Sequence, residues 1–229
     1  VAPVYETPPA ARLMGTGMSV GPQPGRSGLA VLALSPNGTV VIDWARSLLG
    51  ISLEDLDSKL GMSDPGPSPV LAVPHLSGAT LVWGGGERRR GALLGLTLAT
   101  SSMDLVKVLM EGVAFYLWYT ANLLERMGTK FGCLRAVGGG SRSVWWTQLK
   151  ADLLGVPIEV VNQPEPGTLG AAVLAGLAVN LFSDVQQGSR ALVEVESRFE
   201  PNASRARLHE GHLELFRSLV EGLVQVGWG

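Results

Sequence analysis

Leu134-Arg135-Ala136-Val137-Gly138-Gly139-Gly140-Ser141-Arg142-Ser143-Val144-Trp145-Trp146 is the stretch on which the fold turns. It reads as a short strand over Leu134 to Val137, a tight turn over Gly138 to Ser141, and a helix from Arg142 to Leu154. Three consecutive glycines lose more backbone entropy on folding than other residues would, so their use here calls for a reason. Lacking Cβ atoms, they let another group come close to the backbone. The amides of Gly139, Gly140 and Ser141 then lie at a helix N-terminus, where unpaired donors and the helix dipole favour an anion or polar ligand. In this reading Ser141 caps the helix and Ser143 adds a hydroxyl contact. No Lys-Ser/Thr pair follows at Walker spacing and no Gly-x-Gly-x-x-Gly is present, which excludes a P-loop and a dinucleotide fingerprint. Taken alone, the turn is explained equally well as a ligand-free connection.

Downstream, Gly155-Val156-Pro157 breaks the helix, Ile158 to Val161 forms a buried strand, and Pro166 to Phe182 forms a small-residue helix. Gly167, Gly170, Ala171, Ala172, Ala175 and Gly176 give that helix a nearly bare face, read mostly as close packing of helix on sheet. Upstream, a long helix is expected over Ser102 to Met127. Ser101 and Asp104 have capping-box spacing, Leu105, Leu109, Val113, Leu117 and Leu124 form a stripe, and Gly128 ends it. Leu29 to Leu34 is a strand that stops at Ser35-Pro36-Asn37-Gly38. A helix begins at Thr39 and stops at Gly50, Ser52 caps a shorter one, and Val70 to Val73 is an apolar strand. Residues 1–28 read as an irregular segment around a short strand, and 203–226 as one amphipathic closing helix. Helices alternating with buried strands argue for a single α/β domain over 1–229.

Composition narrows the function classes. A formal charge of −2 gives no electrostatic reason to expect nucleic acid or an anionic membrane, and the apolar runs Ala30–Leu34 and Ala171–Ala178 are too short to span a bilayer. Cys133 is the sole cysteine, which excludes an internal disulfide and a thiolate-rich metal site and fits a reducing, cytoplasmic setting. The apolar fraction of 46% and mean hydropathy of +0.24 are what a face built to meet another domain would give. Val1 stands where an initiating Met would, so a start partway through a larger protein is expected. His75, His209 and His212 make no defensible metal site, and His209 and His212 are placed on a solvated helix face. Glu111 in an apolar helix needs a partner if buried. Asp43 and Asp152 are the best-placed acids, read as helix-surface groups, and Glu87-Arg88-Arg89-Arg90 reads as an exposed basic loop. Trp44, Trp118, Trp145 and Trp146 read as core or interdomain packing.

Four ordered blocks resemble the C-terminal domain of the FGGY carbohydrate kinases, the family of glycerol, xylulose and gluconate kinases. Gly138-Gly139-Gly140-Ser141-Arg142-Ser143, Trp146, Gln148, Ala151-Asp152-Leu153-Leu154-Gly155 and Pro157 are similar to that family's GGG-x-R-S-x-x-W-x-Q-x-x-A-D-x-x-G-x-P stretch. Glu165 to Gly176 resembles its E-x-G-x-x-G-A-A-x-x-A-x helix. Arg90 to Leu98, with Leu109 and Glu111 to Phe115, resembles its R-G-x-x-x-G-L-T-L…L-E-G-V-A-F block. Asn37-Gly38 followed by Trp44 resembles its G-G-x-x-x-x-W segment. The matches run from Ser35 to Phe182.

The resemblance implies a ribonuclease-H-like fold of the actin and hexokinase ATPase type, with a mixed central sheet and flanking helices. It implies ATP, with Mg²⁺ carried by the nucleotide, and transfer of the γ-phosphoryl group to a carbohydrate hydroxyl. Gly138, Gly139, Gly140 and Ser143 would line the adenosine and phosphate side, with Ser141 in the same turn and Asn37, Gly38 and Thr39 near it. The partners implied are an N-terminal kinase half and a sugar or sugar acid; self-association into a homodimer stays open. The family's base Asp and its first phosphate loop find no counterpart here, and Gly15-Thr16-Gly17 is a faint echo of its G-T-S segment. Gly78 to Trp83 departs from its G-E-R-x-P motif, with Trp83 a hint of gluconate-type members. An alternative reading is therefore an inactive module of this family that binds nucleotide or a partner.

Overall fold

The computed structural model of the chain describes residues 4–5, 18–23, 28–62, 66–78, 90–162 and 165–225. The segment expected to be irregular contains two strands. β1 (Val4–Tyr5) and β2 (Ser19–Pro22) flank β3 (Leu29–Leu32) in an antiparallel sheet ordered β1-β3-β2. Pro22 is tolerated because it sits at the end of an edge strand, where a missing N–H costs little.

Caps set the next elements. α1 (Thr39–Leu49) ends at Gly50, whose φ of 66° is left-handed, and α2 (Leu53–Gly61) starts where the Ser52 hydroxyl accepts from the Asp55 amide. β4 (Leu71–Val73) pairs antiparallel with β5 (Ala92–Leu94). α3 (Ser102–Arg126) opens with the expected capping box: Ser101 Oγ accepts from the Asp104 amide while Asp104 accepts from the Ser101 amide at 2.9 Å.

α3 is the axis of the core, and it is buried almost all round from Val106 to Tyr116 rather than along one stripe; Leu105, Val113 and Leu117 are only half-buried. The reason is that β4, α1, α4 (Val144–Leu154) and α8 (Glu210–Gln225) pack on different sides of it. Val41, Ile42, Trp146, Leu149, Phe216 and Val220 close over Leu109, Met110 and Phe115. At Gly112 a Cβ would stand 2.6 Å from the Ala72 carbonyl oxygen, so helix and strand touch backbone to backbone.

The second half is a mixed sheet. β6 (Leu134–Ala136) and β7 (Ile158–Val161) are parallel with α4 between them in sequence, and β8 (Val195–Phe199) adds antiparallel to β7. α5 (Pro166–Ala178) stops before Phe182 because the chain turns back through Asn180 at φ 57° and lays the Phe182 ring where a Cβ on Gly176 would be. α6 (Val185–Leu192) packs there too, with Gly188 against Val173. The bare face of α5 is not packed on the sheet as expected: Gly167, Gly170, Ala171, Ala172 and Ala175 are exposed, and only Gly176 is covered. The single closing helix expected over 203–226 is two, α7 (Ala203–Leu208) and α8, broken at His209. The His209 amide bonds back to the Ala206 carbonyl while its ring tucks against Phe115, and that inward turn ends the helix.

Candidate functional site

The glycine turn is tighter than the sequence suggested. Gly138 adopts φ 82°, which only glycine takes without strain, and Gly139–Ser141 forms a 3-10 turn. The Ser141 amide and hydroxyl both donate to the Gly138 carbonyl, at 3.1 and 2.7 Å, and the Arg142 amide donates to Gly139. Ser141 therefore caps no helix. α4 starts at Val144, two residues later than expected, and Ser143 is its cap, accepting from the Trp146 amide. The intervening 3-10 turn displaced the helix start.

The three glycines answer to different demands. Gly138 is required by its φ, and Gly140 by packing: a Cβ there would lie 2.9 Å from Thr39 Cγ2 and 3.2 Å from Trp146 Cζ3. Gly139 has neither reason. Among the described residues a Cβ on it would meet nothing within 4 Å, and its backbone is not in the left-handed region.

Asn37 is buried and fixes the other side. Its Nδ2 donates to the Gly78 carbonyl at 2.6 Å, and its Oδ1 accepts from the Ser77 amide at 2.9 Å. Its side chain is thereby committed to the protein. The fixed loop carries Gly38 and Thr39 to the lining of a concavity of about 1080 Å³ that Gly138 to Ser141 also line, with Thr39 against Gly140. Seven of the eight residues singled out from sequence line this one surface; Ser143 does not.

Tyr116, Thr120, Trp146 and Lys150 contribute to the lining, with Lys130 and Arg135 along the wall. Among the described residues no carboxylate lines it. Trp146 is held by its Nε1 donating to the Met110 carbonyl at 2.8 Å, and the Lys150 ammonium sits 3.5 Å from the centre of its ring. Burial pushes Lys150 down to about 7. Lys150 went unnoticed in sequence; its signal was a lysine one turn after Trp146 on a helix with few exposed positions.

The remaining acids and histidines are structural. Glu111 is fully buried, accepts from the Ser68 amide at 3.1 Å through both oxygens and lies 3.8 Å from the Lys107 ammonium; burial pushes it up to about 7. Asp152 is not a surface group but buried, accepting from Arg205 Nε at 2.7 Å, the Asn202 amide at 2.8 Å and Gln148 Nε2 at 2.8 Å. It ties α4 to α7. Neither histidine is on a solvated face: His209 is buried, and His212 Nε2 lies 3.0 Å from the Ser68 carbonyl oxygen. Asp43 is exposed beside Arg46. Trp146 is core as expected, whereas Trp44 is 52% exposed, in line with Val40 and Leu48 on α1. A smaller concavity of about 420 Å³ along α4 has Asp152 and Arg205 already neutralising each other in its wall. No group of three or more His, Cys, Asp or Glu among the described residues could hold a metal, and no described helix is long and apolar enough to cross a membrane. Gly15-Thr16-Gly17, the departures at Ala79 to Trp83 and the basic Glu87 to Arg89 lie outside the described residues.

Residues 20–179 match the FGGY family of carbohydrate kinases, C-terminal domain. The chain belongs to that family. This FGGY C-terminal domain is 34% identical over 182 residues to the glycerol kinase of Variovorax paradoxus, covering 76% of the chain and 36% of the relative. It is 26% identical over 175 residues to the xylulose kinase of Staphylococcus epidermidis, covering 76% and 35%. It thus spans about a third of the length of the curated relatives it matches. Among solved structures, a ligand-bound xylulose kinase from Lactobacillus acidophilus superposes with a TM-score of 0.84 at 23% identity, over 97% of this chain and 45% of that one. Plasmodium falciparum glycerol kinase with ADP gives 0.74 at 23%, over 89% and 42%. The FGGY domain therefore has the actin and hexokinase type of ATPase fold, as the sequence implied.

Proposed function

We propose that this FGGY C-terminal domain is the nucleotide-binding side of an ATP-dependent carbohydrate kinase. The observation that carries the reading is Gly139, a glycine that neither backbone strain nor packing among the described residues requires, open to a concavity shared with Gly38 and Thr39. An external group that comes against the backbone supplies the missing reason, and a lining with no carboxylate among the described residues suits a polyphosphate. The residues fit ATP in this respect; Mg²⁺ would arrive on its phosphates and offset charge developing during transfer. The catalytic Asp and most of the sugar site would come from an N-terminal kinase half. The exposed Val40, Trp44 and Leu48 row on α1 is an apolar surface such a half could cover. A sugar or sugar acid would be the acceptor, in the cytoplasm, and 1–229 would act as one domain.

The test is a thermal-shift and turnover pair. Mg-ATP should raise the melting temperature of the chain while xylulose, glycerol and gluconate alone leave it in place. ADP release with each sugar should stay at background for the chain alone and appear when an N-terminal half of the family is added. Turnover by the chain alone would refute the assignment of catalysis to the other half. Nucleotide binding with no turnover even after that addition would favour the inactive-module reading.

A further inference from the structure

We infer that Lys150 is the contact for the anionic, polyphosphate end of the ligand bound at the glycine turn; this rests on the nucleotide reading above. Three observations converge on it. Lys150 lines the same concavity as Gly138 to Ser141, and among the described residues no Asp or Glu lies within ion-pair reach of it. Its ammonium is held in a fixed place, 3.5 Å from the centre of the Trp146 ring, which is itself pinned to the Met110 carbonyl. The same indole reaches the glycine turn, since its Cζ3 would lie 3.2 Å from a Cβ on Gly140. One ring thus joins the cation to the turn.

A half-buried lysine without a counter-charge is costly to keep, and burial alone holds its proton affinity near neutrality. Stacking on an indole offsets part of that cost but offers the ammonium no hydrogen-bond acceptor. Phosphate oxygens offer both the charge and the acceptors. The other cations on the surface are less available for this: Arg135 is already paired with Glu159 at 3.1 Å, and Lys130 is exposed to solvent.

The test titrates Mg-ATP, adenosine and inorganic tripolyphosphate into the wild-type chain, Lys150→Met and Lys150→Arg, each first checked for an unchanged melting temperature. Met keeps the stem on Trp146 and removes only the charge. Lys150→Met should weaken Mg-ATP and tripolyphosphate by about 10- to 100-fold, the loss of one charge-assisted hydrogen bond. Adenosine should be unaffected, and Lys150→Arg should restore most of the affinity. Equal Mg-ATP binding by wild type and Lys150→Met overturns the inference and leaves the nucleotide reading standing. Equal weakening of adenosine and Mg-ATP also overturns it, by making Lys150 a packing residue. Tripolyphosphate binding that depends on Lys150 without any response to adenosine or ATP would sink the nucleotide reading instead. A folded wild-type chain that binds none of the three refutes both.

Discussion

Glu111→Gln should make the chain more stable at neutral pH and leave it nearly unchanged in acid. The carboxyl is fully buried on α3, and its pKa rises from 4.5 to about 7 because desolvation outweighs the help of Lys107 and the Ser68 amide. An acid whose folded pKa is raised holds its proton in the native state after the unfolded state has lost it. Stability therefore falls as pH rises from about 4.5 to about 7, by about 1.4 kcal/mol per pH unit at most. Over that window the loss is about 3 kcal/mol. Gln keeps an oxygen for the Ser68 amide and carries no charge, so it escapes the loss. His209, held below its ordinary range chiefly by burial, changes stability in the opposite direction over part of the window. The informative quantity is thus the difference between variant and wild type. Urea unfolding at half-unit steps from pH 4.5 to 8 should show that difference growing by about 3 kcal/mol in favour of Gln. A difference that is flat with pH, or that favours Glu at pH 8, would refute the argument that burial dominates here.

Gly112→Ala should destabilise by about 2–4 kcal/mol, read from the urea midpoint, because its Cβ would meet the Ala72 carbonyl oxygen, which is backbone and cannot turn aside. Asp152→Ala should cost about 2–4 kcal/mol by leaving the Asn202 amide, Gln148 and Arg205 without their shared acceptor, and should raise hydrogen exchange in α7. Gly188→Ala should cost about 1–3 kcal/mol by pressing on Val173 and Phe182 and loosening α6 from α5, seen as a lower melting temperature.

What the sequence made legible was what short-range chemistry determines. The Ser101–Asp104 capping box, the Ser52 cap, the Gly50 stop and β7 all follow from residues within a few positions of one another, and they appear as read. The family was legible because its glycine turn and helix motifs survive in order. β8 was missed because Glu196 and Arg198 give it a charged, solvent-facing pattern, which suits a half-exposed strand but hides it. The break at His209 was missed because the apolar period runs through it; only the distant Phe115 shows why the ring turns inward. Small residues on α5 permitted close packing, but composition could not say that the face would be left open. The burial of Asp152 was hidden likewise, since its partners Asn202 and Arg205 are far along the chain. In the candidate site, seven of the eight residues singled out from sequence line one concavity, whereas the division of labour among the three glycines could be seen only from what surrounds each.

The central claim, that a nucleotide lies against Gly139, is tested most directly by calorimetric titration of Mg-ATP into wild type, Gly139→Val and Gly170→Ala. A Cβ at Gly139 meets nothing within 4 Å among the described residues and the backbone there is outside the left-handed region, so Gly139→Val should keep the wild-type melting temperature within a few degrees. Gly170, equally uncrowded but outside the concavity, serves as the control. The account predicts binding by wild type and Gly170→Ala and at least a tenfold loss in Gly139→Val, about 1.4 kcal/mol. Equal affinity in all three would contradict it, because the glycine of the turn that neither its backbone nor its described neighbours require would then not be required by the ligand either.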